Sequence, residues 1–162
     1  VYDLVLQMVN NPSVFGFENV TGTAKSNVGE DPLTFFFGTV VEDPENYMFF
    51  DDVHPTTRSH EILADFAFNA TVIGSVVAAL ENYQVVISGR NAEKNRAGLV
   101  NKLTQAEKKI NQGKYSDAIE KLADFSDTTK ALVSNGDLDE GEAQSMVDAA
   151  NAVIASLSAY VP

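Results

Sequence analysis

The two histidines of the chain, His54 and His60, follow a pair of aspartates in the run Phe50-Asp51-Asp52-Val53-His54-Pro55-Thr56-Thr57-Arg58-Ser59-His60. An aspartate three residues before a histidine in a tight loop can accept a hydrogen bond from imidazole Nδ1, leaving Nε2 to take a proton from a hydroxyl. That is the chemistry of a general base in acyl transfer. Pro55 supports the geometry, because the residue before a proline is pushed out of the α region and proline is favoured in the first turn of a helix. His54 is therefore expected on a loop at a helix mouth, with Asp51 orienting it and Asp52 as a solvated neighbour. Taken without its surroundings, an Asp-x-x-His pair is more often an incidental surface ion pair. A metal site built from Asp51, Asp52, His54 and His60 would use ligand types that suit zinc or manganese. The chain has no third histidine, however, and the Asp51–His54 pair already has an explanation. Neither a metal nor any other cofactor is implied.

The whole block resembles the last block of SGNH/GDSL hydrolases, in which Asp-x-x-His is followed by Pro-Thr, a second histidine six residues after the first, and a helix. Upstream, Asn11-Pro12-Ser13-Val14-Phe15-Gly16-Phe17-Glu18-Asn19-Val20-Thr21 resembles the segment that often precedes that block in lipase-like members. The resemblance implies a serine esterase or lipase with an α/β/α, flavodoxin-like domain. It makes Asp51 and His54 the catalytic pair of a Ser-His-Asp triad, His54 acting first as base and then as acid. His60 matches the recurring second histidine and is assigned a packing or hydrogen-bonding role on the helix. The family's nucleophile lies in a Gly-Asp-Ser motif, and its oxyanion donors are a Gly and the Asn of Gly-x-Asn-Asp; neither string occurs here. Gly136-Asp137-Leu138 has no serine, and Gly74-Ser75 lies within an apolar helical stretch. The resemblance covers roughly 70 residues, corresponding to the C-terminal portion of such a domain. The chain opens on Val1 without a basic region and cleavage site behind a methionine, so a preceding part is expected.

The elements that must position this pair follow from hydrophobic spacing. Leu4, Val5, Met8 and Val9 predict a short helix that Pro12 limits. A Gly-, Asn-, Ser- and Thr-rich excursion then runs from Ser13 to Pro32, with a strand at Phe17 to Val20. Leu33 to Val41 and Tyr47 to Phe50 read as short buried strands. The three phenylalanines of the first are read as core in preference to an acyl pocket. Beyond Pro55, apolar residues at Ile62, Leu63, Phe66, Ala67, Ala70 and Ile73 predict one long helix to about Leu80. The helical period then lapses over Glu81 to Asn91, which marks a boundary, with domains at 1–84 and 85–162.

Past the boundary, three apolar stripes recur at helical spacing: Leu99, Leu103, Ala106, Ile110; then Tyr115, Ile119, Leu122, Phe125; then Ala143, Met146, Ala150, Val153, Leu157. Gly113 and Gly136 stand at expected helix ends, and Asp139 with Glu142 forms a capping box behind Leu138. Short links make the helices antiparallel neighbours in a small three-helix bundle. These helices resemble modules that end some secreted or surface bacterial proteins, which implies a role in attachment or association. The expected fold is thus α-rich: a C-terminal fragment of an SGNH domain followed by a helical accessory module.

Charge narrows the partners. The formal net charge is −12 over 162 residues, and residues 1–68 hold 2 basic against 11 acidic residues. Such a surface repels phosphate backbones and anionic lipid, so nucleic acid and electrostatic membrane docking are excluded, while neutral substrates such as esters remain. No cysteine is present, so disulfides and thiolate chemistry are excluded. The apolar run Phe66 to Leu80 is shorter than the roughly 20 residues of a membrane span and is interrupted by Asn69. A secreted or cell-surface location is expected, as is a partner, either an upstream hydrolase fragment or a second copy, that completes the domain. The competing expectation is a non-catalytic association module carrying an inert hydrolase remnant.

Overall fold

The computed structural model describes residues 2–26 and 38–161. The chain is helix-rich: among the described residues there are five α-helices and one two-stranded sheet. It divides into two compact units, one extending to Asp65 and the other Phe66–Val161.

In the first unit, α1 (Tyr2–Asn10) buries Leu4 and Met8, which stand one turn apart on the same face. Pro12 stops it, and a 3₁₀ turn, Pro12–Phe15, follows. Strand β1 (Asn19–Thr23) pairs in parallel with β2 (Tyr47–Phe49). The register is irregular: Asn19 faces Tyr47 and Thr23 faces Phe49, so β1 takes four steps where β2 takes two. Asn19 causes this, because its Oδ1 accepts the N–H groups of Thr21 and Gly22 at 3.0 and 2.7 Å and draws the strand into a bulge. Phe15, Phe17, Ala24, Met48 and Ile62 form the core of the unit. The expected strand at Phe17 to Val20 is displaced to Asn19–Thr23, and the expected strand Tyr47 to Phe50 is seen as β2 without Phe50. Of the expected strand Leu33 to Val41, residues 33–37 lie outside the described residues. Its end makes an isolated antiparallel bridge from Val40 to Lys25.

Helix α2 (Thr57–Glu81) begins in the first unit and continues in the second. Its 25 residues make it roughly 37 Å long, longer than the apolar run within it. By length and composition alone it would suffice to cross a membrane. Its buried positions include Asn69 and Ile73, and Asn69 Nδ2 donates to Ser156 Oγ at 3.2 Å.

The second unit adds α3 (Ala92–Asn111), α4 (Tyr115–Ser134) and α5 (Glu140–Ser158). Helix α4 packs against both α3 and α5. The stripes anticipated from spacing are the buried faces, except that Ala118 takes the interior place in α4 and Ile119 is half-buried. Gly113 and Gly136 adopt φ of +71° and +74°, the left-handed conformation that ends α3 and α4 and that a Cβ would disfavour. Asp139 caps α5 through the N–H groups of Gly141 and Glu142 at 2.8 and 3.1 Å. The reciprocal half of the capping box is not made, because the Glu142 carboxylate accepts from the Val86 N–H at 3.2 Å instead. The segment between α2 and α3 is tied down twice more. Ile87 bridges to Leu138, and the buried Arg96 donates from Nη1 to the carbonyls of Leu80 and Val85 at 2.6 and 3.0 Å.

Leu122 is fully buried, so Leu122→Ala is expected to cost roughly 2–5 kcal/mol through lost burial and a residual cavity. Loss of the Asp139 cap in Asp139→Ala is expected to cost about 1 kcal/mol. Urea unfolding followed by circular dichroism measures both, and equal effects would show that the stripe on α4 does not form the core.

Candidate active site

The chain between β2 and α2 turns back on itself within five residues, with the Phe50 N–H donating to the His54 carbonyl at 2.8 Å. Inside this turn lies Asp51, only 3% exposed. Its Oδ1 accepts from the backbone N–H of Val53 at 3.0 Å and of His54 at 2.8 Å, closing an Asx-type turn. The same carboxylate meets the imidazole, with Nδ1 of His54 2.8 Å from Oδ1 and 2.9 Å from Oδ2. Asp51 and His54 are therefore brought together by the arrangement their spacing called for.

Burial works to raise the Asp51 pKa. Donation from the Val53 N–H, then from the His54 ring and backbone, with the imidazole's charge, outweighs it and holds the carboxyl below its ordinary value. An ionised carboxylate only accepts hydrogen bonds, so Nδ1 carries the proton and the lone pair of the neutral ring sits on Nε2. The exposures differ sharply, at 65% for the His54 side chain and 4% for that of Asp51. A buried anion thus holds the base, and most of the base faces outward. The geometry is that of a carboxylate orienting an imidazole.

Two hydroxyl residues fix the turn to its neighbours, and the sequence reading assigned neither of them a part. Thr56 Oγ1 donates to the Tyr47 carbonyl at 2.8 Å, and Ser59 Oγ donates to the Met48 carbonyl at 2.6 Å. The Thr56 hydroxyl also accepts the Ser59 N–H at 3.3 Å, in the manner of an N-cap on α2. Both residues are buried. The signal that could have revealed them is a Thr-x-x-Ser pattern at the start of a helical run. Arg58 adds a third tie, from Nε to the Phe15 carbonyl at 3.1 Å, and its backbone N–H donates to Glu45 Oε2 at 2.6 Å.

Asp52 is exposed, as expected of a solvated neighbour. His60 is also exposed, on α2, which does not favour the packing role assigned to it. Among the described residues, no three His, Asp or Glu side chains gather as a metal ion would require.

The chain is similar to GDSL esterases. It is 32% identical over 66 residues to one GDSL esterase/lipase of Arabidopsis thaliana and 34% identical over 70 residues to another, each match covering 40% of this chain and 18% and 19% of the respective relative. It is also 35% identical over 71 residues, 41% of its length, to an uncharacterized protein in the trpE-trpG intergenic region of Pseudomonas putida, covering 12% of that protein. The chain therefore spans less than a fifth of the length of the curated relatives it matches. Residues 77–155 match the FIMAH domain, here a helical module. No solved structure matches.

Because the folded pKa of Asp51 lies below the ordinary carboxylate value, the stability it gives the turn is complete above that ordinary value, about pH 3.9. It is lost as pH falls through the lower, folded value. Amide hydrogen exchange at Val53 and His54, followed by NMR, should report protection that persists through mildly acid pH and collapses below it. Protection that survives full protonation would show that the anion does not hold the turn.

Proposed function

We propose that this chain supplies the Asp-His half of a Ser-His-Asp triad in a carboxylic ester hydrolase of the SGNH/GDSL type. The observation that carries this reading is the buried Asp51 carboxylate holding His54 Nδ1 within a single turn. The similarity to GDSL esterases supports it. In this reading residues 1–84 are the C-terminal part of an α/β/α hydrolase domain. The nucleophilic serine and the oxyanion donors come from an upstream polypeptide or from a second copy of the chain. Residues 85–162 form an antiparallel three-helix module appended to it, the protein is secreted or held at the cell surface, and α2 packs within protein without spanning a membrane.

The mechanism follows from the geometry. The serine oxygen bonds to the ester carbonyl carbon as its proton passes to His54 Nε2; the imidazolium, held by Asp51, then returns that proton to the departing alkoxide. Water attacks the acyl-serine carbonyl with His54 taking its proton; as the bond to serine breaks, His54 returns that proton to the serine oxygen and the carboxylic acid leaves. Asp51 remains ionised throughout and fixes the tautomer.

A second reading has its own support: a non-catalytic association or attachment module whose hydrolase portion is inert. The FIMAH match over residues 77–155 favours it.

Two measurements test the triad reading. The chain alone is expected to leave p-nitrophenyl esters at the background rate, because a base without nucleophile and oxyanion hole has nothing to activate. In the complete hydrolase, His54→Ala should lower kcat by on the order of 10³-fold or more, with Asp51→Ala milder and His60→Ala near wild type. Undiminished turnover in a well-folded His54→Ala protein would remove the triad reading and leave the association module.

A further inference from the structure

The contact between Asp51 and His54 ties the ring to its carboxylate, but both residues lie in one turn. The pair alone therefore does not fix where the turn as a whole points, and a base must meet a nucleophile that lies outside it. That direction is set by the two stems. The outgoing stem is β2 with Phe50, and the returning stem is His54-Pro55-Thr56. They form an antiparallel bridge at Phe49 and Pro55. The Phe50 N–H donates to the His54 carbonyl at 2.8 Å, and the Thr56 N–H donates to the Met48 carbonyl at 3.1 Å. The two bonds flank the bridge, so Pro55 occupies a non-hydrogen-bonded position and its missing N–H costs the pairing nothing. Two backbone bonds across one bridge are nevertheless a slender attachment.

Thr56 and Ser59 reinforce it from the helix side. Thr56 Oγ1 donates to the Tyr47 carbonyl at 2.8 Å, and Ser59 Oγ donates to the Met48 carbonyl at 2.6 Å. Each hydroxyl has one proton, and both protons are given to β2. The two residues are 2% and 1% exposed, where a hydrogen bond is not exchanged for one to water. Helix α2 begins at Thr57, so the same two side chains seat its first turn on β2. Only Pro55, whose ring fixes φ, separates His54 from that anchor. The backbone of the base is thus held from both directions, by the Asp51 turn before it and by the hydroxyl pair after it.

We infer that Thr56 and Ser59 are positioning residues for the base: they hold the His54 backbone against β2, so that Nε2 is presented in one direction. The effect of this on turnover rests on the triad reading; the effect on the order of the ring does not. If the hydroxyls served only to cap α2, their loss would lower the melting temperature and leave the ring as ordered as before.

The test begins with the full chain, in which Thr56→Val and Ser59→Ala each remove one hydroxyl and Thr56→Ser keeps it. Carbon relaxation of the His54 ring and the nitrogen shifts of its imidazole are measured by NMR, well below the melting temperature of each variant. In Thr56→Val and Ser59→Ala the order parameter of the ring should fall while the proton stays on Nδ1, because the contacts to Asp51 lie within the turn. Thr56→Ser should keep the order of the wild type. Ser59→Ala leaves the Met48 carbonyl its bond from the Thr56 N–H, so it is the milder variant and decides the matter if Thr56→Val does not fold. In the complete hydrolase, Thr56→Val and Ser59→Ala should lower kcat by about tenfold or more with KM little changed, and Thr56→Ser should recover the rate. An unchanged ring in the folded variants, or Thr56→Ser as damaging as Thr56→Val, overturns the positioning role. A loosened ring with undiminished kcat, in a hydrolase that His54→Ala disables, overturns it as well and leaves the triad reading in place. A loosened ring in a protein that His54→Ala does not disable upholds the attachment of the turn and removes the triad reading.

Discussion

One buried carboxylate organises the first unit. Asp51 has the acceptor capacity to take the N–H groups of Val53 and His54 and the imidazole Nδ1 at once, and it does so while 3% exposed. Removal from water would by itself drive the carboxyl toward its neutral form; three donors aimed at the anion reverse that preference. The turn between β2 and α2 is therefore the peptide conformation that solvates a buried charge. The outward position of His54 is a consequence of it. Thr56 and Ser59 extend the constraint by spending their hydroxyls on the carbonyls of Tyr47 and Met48, which a two-stranded sheet leaves available on β2.

The helical unit is held by a different balance. Its stripes bury apolar surface in the ordinary way, and its polar ties gather where the chain leaves α2 for α3. There Arg96 serves the carbonyls of Leu80 and Val85, Glu142 takes the Val86 N–H, and the Asp137 carbonyl accepts from the Ser88 N–H at 2.8 Å. Each answers a backbone group that a helix end or an irregular segment would otherwise leave unsatisfied. The tie has a cost, since Arg96 Nε is buried without a partner among the described residues. Placing the guanidinium over Tyr83 uses the same side chain a second time, against the residue whose left-handed backbone ends α2.

What was legible in the sequence was local or periodic. Asp51 and His54 are three residues apart, so one turn suffices to join them, and residue type with spacing carried the inference. Helices α3 to α5 repeat apolar positions at 3.6-residue spacing, and left-handed glycines mark the ends of α3 and α4. What was not legible depended on competition between distant groups. Glu142 had the right type and position for a capping box, but the Val86 N–H, 56 residues away, took its carboxylate. Strand β1 begins only at Asn19 because the Phe17 N–H turns back to the Pro12 carbonyl at 2.9 Å and so belongs to the preceding turn. The end of α2 was less legible, because a tyrosine, Tyr83, takes the left-handed position that glycines hold after α3 and α4.

Within its apolar run, Phe66 to Leu80, helix α2 carries a single buried polar side chain. Its apolar length satisfies the criterion for a bilayer, yet Asn69, fully buried, stands in the middle of it. The amide Nδ2 donates to Ser156 Oγ, while Oδ1 is buried without a partner among the described residues. An apolar side chain of similar volume would remove that unpaired acceptor, so stability alone does not account for asparagine at this position. A buried polar pair does what apolar contacts cannot. It has one satisfied alignment, so sliding α2 by a turn against α5 would leave both Asn69 and Ser156 unpaired. The Asn69–Ser156 hydrogen bond thus adds a directional contact to the apolar part of α2, as Arg58 and Ser59 do at the start of the helix.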